Sequence, residues 1–144
     1  MTPAEAMNWK LILQLSMFGL AMGVATSFVV ASSVEPYCWL VIFIICAYLI
    51  IKRTTTKRFL HGMVLGVVNG GWVAAAHVVF VNRYLESHFQ QAQMVSALPA
   101  SPQLMMAMVG LIYGFVSGAM IGIFVLVMSK LLPPQPVLPN LPMR

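Results

Sequence analysis

Within the apolar runs of this chain, His77 is the side chain best suited to do chemistry. An ionisable group at membrane depth is costly to hold, and where one occurs it commonly relays protons or binds a ligand. His77 is therefore a candidate relay group, or an axial ligand to haem or chlorophyll. Thr26, Asn69 and Ser117 accompany it, each beside glycines in an apolar stretch. Asn69 is expensive to bury without a hydrogen-bond partner. Together Thr26, Asn69, His77 and Ser117 define a candidate polar seam with the chemistry to hold an ion or a small solute. The plainer reading is helix glue, in which Thr26, Asn69 and Ser117 hydrogen-bond between helices and His77 bonds to a hydroxyl, amide or carbonyl.

The missing chemistry narrows the choice. The sequence has no Asp, and Glu5, Glu35 and Glu86 all fall outside the apolar runs. Ion-coupled transport commonly relies on carboxylates inside the membrane, so a secondary transporter is disfavoured. No glycine-rich phosphate loop and no paired carboxylates for acid–base work are found. Ser117 and His77 sit at different depths on oppositely directed helices, which argues against a nucleophile pair. His61 lies about 24 Å along a helix from His77, too far to share a metal, and His88 belongs to a loop. Cys38 and Cys46, about 12 Å apart on one helix, are too distant for a disulfide and form no metal motif. The methionines show no copper-like spacing and read as flexible filler. We expect no enzyme and no metal site, and no cofactor is indicated.

The elements that must position these residues are membrane helices. Hydrophobic residues make up 60% of the 144 and charged residues only 8%, with the apolar excess gathered in runs long enough to span a bilayer. The fold class is all-α, a polytopic membrane protein with four transmembrane helices over about residues 9–31, 36–53, 59–82 and 104–129. These form one domain, 1–131, followed by a tail, 132–144, that holds five of the nine prolines. The tail is expected to be extended or solvated. Thr2, Pro3 and Glu5 read as a capped helix start ahead of Trp9 and Lys10, which mark a headgroup interface. The first run is taken as a retained span rather than a cleaved leader. The second span has no glycine and is expected to be the most lipid-exposed or peripheral of the four. Tyr84 to Ser96 reads as a short amphipathic helix on the outer surface, and Ser101-Pro102 as the cap of the last span.

Three spans share one pattern. Gly19-Leu-Ala-Met-Gly23-Val-Ala-Thr26-Ser27, Gly62-Met-Val-Leu-Gly66-Val-Val-Asn69-Gly70 and Gly110-Leu-Ile-Tyr-Gly114-Phe-Val-Ser117-Gly118 each read Gly-x-x-x-Gly-x-x-polar-small. At about 100° per residue, the polar position falls about 20° from the first glycine, so each stripe carries a hydroxyl or amide at its margin. Small residues four apart let helices approach closely, and helices 1, 3 and 4 are expected to pack through these stripes. The net charge of +5 could suggest nucleic acid, but Lys52, Arg53, Lys57 and Arg58 crowd one short loop. That placement is what the positive-inside rule produces, with lipid headgroups as the only acidic partner. With the amino terminus inside, only Arg83 of the eight basic residues lies outside, which puts both termini in the cytoplasm and the chain in an inner membrane.

The stretch from Gly62 to Leu85 followed by Gly110 to Leu132 resembles the third and fourth spans of small four-helix bacterial inner-membrane proteins, a family with no assigned function. The resemblance covers about half the chain and rests on glycine and aliphatic positions. It implies four helices in an inner membrane and carries no functional residue over. The expected role is an accessory or scaffold subunit packing in a homo-oligomer or a larger membrane complex. The alternatives are a small transporter or channel component using the polar seam, and a cofactor-holding subunit with His77 as axial ligand.

Overall fold

The structure, a computed structural model, describes residues 6–132. Among these the chain forms six helices and no strand: α1 (Trp9–Phe28), α2 (Glu35–Arg53), α3 (Arg58–Val79), α4 (Val81–Ser87), α5 (Phe89–Ser96) and α6 (Pro102–Leu131). The class is all-α, and α1, α2, α3 and α6 are each long and apolar enough to cross a membrane. The expected cap at Thr2 to Glu5 and the proline-rich tail beyond residue 132 lie outside the described residues.

Local chemistry sets the helix ends. Asn8 caps α1, its Oδ1 accepting the Leu11 N–H at 3.1 Å. The other end of α1 falls at Phe28, short of the expected residue 31. There the N–H groups of Val29 and Val30 both reach the Ala25 carbonyl at 2.8 Å. Thr26 and Ser27 also turn their hydroxyls back onto the carbonyls of Met22 and Gly23, a competition that loosens a helix end. α3 stops at Val79 rather than residue 82, because Phe80 leaves helical geometry with φ −105° and ψ 29°. The Phe80 ring then meets Phe28 edge-on at 5.0 Å, so one aromatic contact joins the two helix ends. α6 outruns its expected bounds at both ends. It starts on Pro102, with Ser101 Oγ accepting the Leu104 N–H at 3.3 Å.

α3 lies between α1 and α6, while α2 packs chiefly on α6. α1 and α3 run parallel: Asn8 meets His61 near their starts, and Thr26 meets His77 near their ends. α3 and α6 run antiparallel, with Gly62 against Gly122, Gly66 against Gly118, Gly70 against Gly114 and Ala74 against Gly110. A Cβ added at Gly62 would lie 2.6 Å from the Gly122 nitrogen, and one at Gly66 would fall into the Gly118 backbone. On α1, a Cβ at Gly19 would lie 2.7 Å from the Asn69 Cα, and one at Gly23 would lie 2.9 Å from the Ala76 Cβ. Around this backbone contact sits an apolar core that includes Ile12, Leu15, Ile50, Leu65, Ile121 and Val125.

Two expectations are corrected. The second span is peripheral, packing chiefly on α6, but it is not the most exposed: 33% of its apolar window is buried, against 28% for α6. α6 buries its glycines together with Met106, Ile121 and Val125 and leaves most of its other large apolar side chains exposed. α2 uses Cys46 and Ala47, both fully buried, as its small residues. The outer segment is not one surface helix. It is α4 and α5, divided at His88, with Val81, Tyr84 and Val95 packed against Met106.

Overpacking an interior contact typically costs about 1–3 kcal/mol, and a site already in backbone contact belongs at the upper end of that range. Gly66→Ala should therefore lower unfolding stability in detergent by about 2–3 kcal/mol. Gly71→Ala, where nothing lies within 4 Å, should be neutral or stabilising through helix propensity. Equal losses at the two positions would contradict the close approach of α3 and α6.

Candidate functional site

The four residues of the expected seam do not line one path. Thr26 and His77 do meet: Thr26 Oγ1 lies 2.8 Å from His77 Nε2, joining α1 to α3 near their ends. The parallel register of the two helices puts both residues on facing surfaces, and both are buried. Thr26 Oγ1 also sits 2.9 Å from the Met22 carbonyl, where it caps its own helix end. Asn69, two turns deeper on α3, lies against Gly19 and is only 1% exposed. Neither its Oδ1 nor its Nδ2 has a hydrogen-bond partner. Ser117 is half-buried on α6 and donates to the carbonyl of Tyr113 on the same helix. Of the three polar residues expected to bond between helices, Thr26 alone does so.

The register explains the separation. Gly114 and Gly118 occupy the face of α6 that touches α3, so Ser117 points along the rim of that contact. Asn69 sits on the α1 side of α3, where the glycine opposite it leaves room but offers no side-chain partner. Two further ties between α1 and α3 were not foreseen. Trp72 Nε1–H donates to Ser16 Oγ at 3.2 Å, and the Asn8 N–H donates to His61 Nε2 at 3.0 Å. Because Nε2 of His61 accepts, its Nδ1 carries the proton and donates to the Lys57 carbonyl at 2.9 Å. His61 thus cross-links the start of α1 to the loop before α3.

His77 also belongs to a column of rings that sequence reasoning missed. Tyr84 stacks on His77 with centroids 3.9 Å apart, and on its other side His88 stacks at 4.1 Å. Seven residues separate His77 from Tyr84, and the kink at Phe80 swings α4 so that the two rings overlap. His88 Nδ1 lies 3.0 Å from the Tyr84 carbonyl and 2.9 Å from Ser87 Oγ, while its buried Nε2 has no partner. Burial pushes the Tyr84 phenol up to about 12, with Glu35 and Tyr113 adding to the effect. Tyr84 therefore stays neutral through the physiological range. The signal available in the sequence was the spacing of His77, Tyr84 and His88, but it registers as a column only once the break at Phe80 is known.

This geometry bears on the chemistry proposed for His77. Its Nε2 is occupied by the Thr26 hydroxyl, so axial ligation through that nitrogen would require this hydrogen bond to open. No group of three or more metal-ligating side chains occurs among the described residues. Comparison with family models, curated proteins and solved structures finds no match to the chain.

A polar group without a partner gains nothing from its polarity when buried, and an apolar group of similar shape in its place is near neutral or stabilising. Asn69→Leu should leave unfolding stability in detergent unchanged or raised, and a loss above about 1 kcal/mol would show that the amide has a partner. Thr26→Val should cost about 0.6–2 kcal/mol, the range for interhelical hydrogen bonds in membranes. That cost should vanish in a background already carrying His77→Phe, as a double-mutant cycle would reveal.

Proposed function

We propose that this chain is a non-enzymatic integral membrane protein of an inner membrane, acting as an accessory or scaffold subunit in a homo-oligomer or a larger membrane complex. Both termini face the cytoplasm, and the glycine stripes of the first, third and fourth spans close the bundle from within the bilayer. The observation that carries this reading is the division of α6 into two faces. Gly110, Gly114, Gly118 and Gly122 are spent on α3 within the chain. Beside and behind that glycine strip, Leu111, Ile112, Phe115, Ile123 and Leu126 are all exposed and apolar. Such a surface suits lipid or the helix of another subunit.

One observation favours the alternative of a small transporter or channel component. Asn69 holds both polar atoms unpartnered at the centre of the α1–α3 contact, which is where a solute would find a donor and an acceptor. Against it stands the separation of Asn69, Thr26, His77 and Ser117 into distinct environments.

Purification in a mild detergent, with mass measurement of the intact particle, tests the leading reading. A stoichiometric partner or a defined oligomer is expected, and cysteine placed at Ile112 should cross-link within it. A monomer with no partner would contradict the proposal. Liposome flux abolished by Asn69→Leu would establish the transport alternative in its place.

A further inference from the structure

A cavity of about 260 Å³ opens at the end of the bundle where α1 and α3 begin and α2 ends. It is lined by Asn8, Arg53, Thr55, Thr56 and His61 among others. At roughly 30 Å³ per water, it has room for about eight waters, or for a headgroup phosphate with its glycerol. His61 builds one wall: its two ring nitrogens tie the Asn8 backbone to the Lys57 carbonyl, which fixes the α1 start against the loop. Arg58 folds back so that its Nε–H donates to the Thr54 carbonyl at 3.0 Å, and Thr54 itself donates to the Ile50 carbonyl at 2.7 Å. The loop is thus held by its own hydrogen bonds, while Arg53 lines the cavity beside it.

The charge around this cavity is one-sided. Lys10, Lys52, Arg53, Lys57, Arg58 and Lys130 all lie at this end, given the directions of the four long helices. The described carboxylates, Glu35 and Glu86, lie at the opposite end, where Glu86 pairs with Arg83 at 3.2 Å. Among the described residues, six cations and no carboxylate side chain lie at this end. α3 adds to the excess, since it starts without a side-chain cap and with no acidic residue in its first turn. Lys57 and Arg58 therefore stand at the positive end of a helix, the reverse of the favourable arrangement. Walls, donors and uncompensated positive charge converge on one recess.

We propose that this cavity binds the phosphodiester of an anionic phospholipid headgroup, with Arg53 as the principal ligand and the threonine loop as its cradle. Arg presents a rigid fork matched to phosphate oxygens, which a diffuse basic surface does not. Phospholipid is favoured over free phosphate because Trp9 and Lys10 start α1 beside the cavity, at the level where headgroups lie. The proposal rests on the chain residing in a bilayer and not on its role as an accessory subunit.

The test uses the full chain in vesicles of phosphatidylcholine doped with phosphatidylglycerol, with retained lipid read by native mass spectrometry. Arg53 is exposed and Lys130 lies at the same end outside the cavity, so Arg53→Gln and Lys130→Gln should both fold. A purely electrostatic surface loses about fivefold in affinity for each charge removed. A charge-assisted site loses more than about tenfold at its ligand alone. We expect selective retention of phosphatidylglycerol that Arg53→Gln reduces by more than about tenfold and Lys130→Gln by about fivefold or less. Equal losses would reduce the site to diffuse attraction and overturn the proposal. Displacement of phosphatidylglycerol by equimolar inorganic phosphate would overturn the assignment to lipid. A chain that fails to enter the vesicles would overturn the membrane reading itself, a distinguishable outcome.

Discussion

The contact of α3 with α6, backbone on backbone, is the constraint to which the rest of the molecule is fitted. Lipid tails are as apolar as leucine, so helices in a bilayer gain little by hiding apolar side chains from them. Association has to come from dispersion at short range, and each atom pair contributes only about 0.1–0.2 kcal/mol at its optimum. Removing side chains between the helices brings many backbone atoms to that range at once. The glycines at 62, 66 and 70 and those at 114, 118 and 122 achieve this along three turns, with Ala74 and Gly110 extending the contact. Because hydrogen alone fits between them, a shift of register would drive a side chain into a carbonyl.

With one face of α3 given to α6, its polar groups are displaced to the α1 side. His77 and Trp72 find Thr26 and Ser16 there, and Asn69 finds only Gly19. These bonds cross a parallel pair of helices at separate levels and do not form a continuous polar route. The column of His77, Tyr84 and His88 then continues from this interface into α4, where the kink at Phe80 brings the rings into line. The outer connection is consequently packed on the bundle rather than laid on its surface.

Much of this architecture could be read from residue types alone. Hydrophobic runs and basic clusters marked four long helices, and the spacing of Gly62, Gly66 and Gly70 marked the face of closest approach. Other features depend on tertiary context. The ends of α1 and α3 were set too late because Val29 to Ala31 and Phe80-Val81 are apolar enough to continue a span. Where the two helices end, the ring of Phe28 meets that of Phe80, a contact that no local pattern carries. The exposure of α2 was overestimated because alanine and cysteine serve as small residues as well as glycine does. The polar seam was drawn by placing Thr26, Asn69 and Ser117 at the same margin of three stripes. A shared angular position says nothing about which neighbour that margin meets, and α3 turns one margin to α1 and the other to α6.

The most direct measurement is a set of nuclear Overhauser contacts between glycine α-protons of the protein in detergent micelles. α-proton cross-peaks linking Gly66 with Gly118 and Gly70 with Gly114 are the expected result, since these backbones touch in the antiparallel register. Cross-peaks in a register shifted by one turn, such as Gly66 with Gly122, would contradict the account, as would their complete absence.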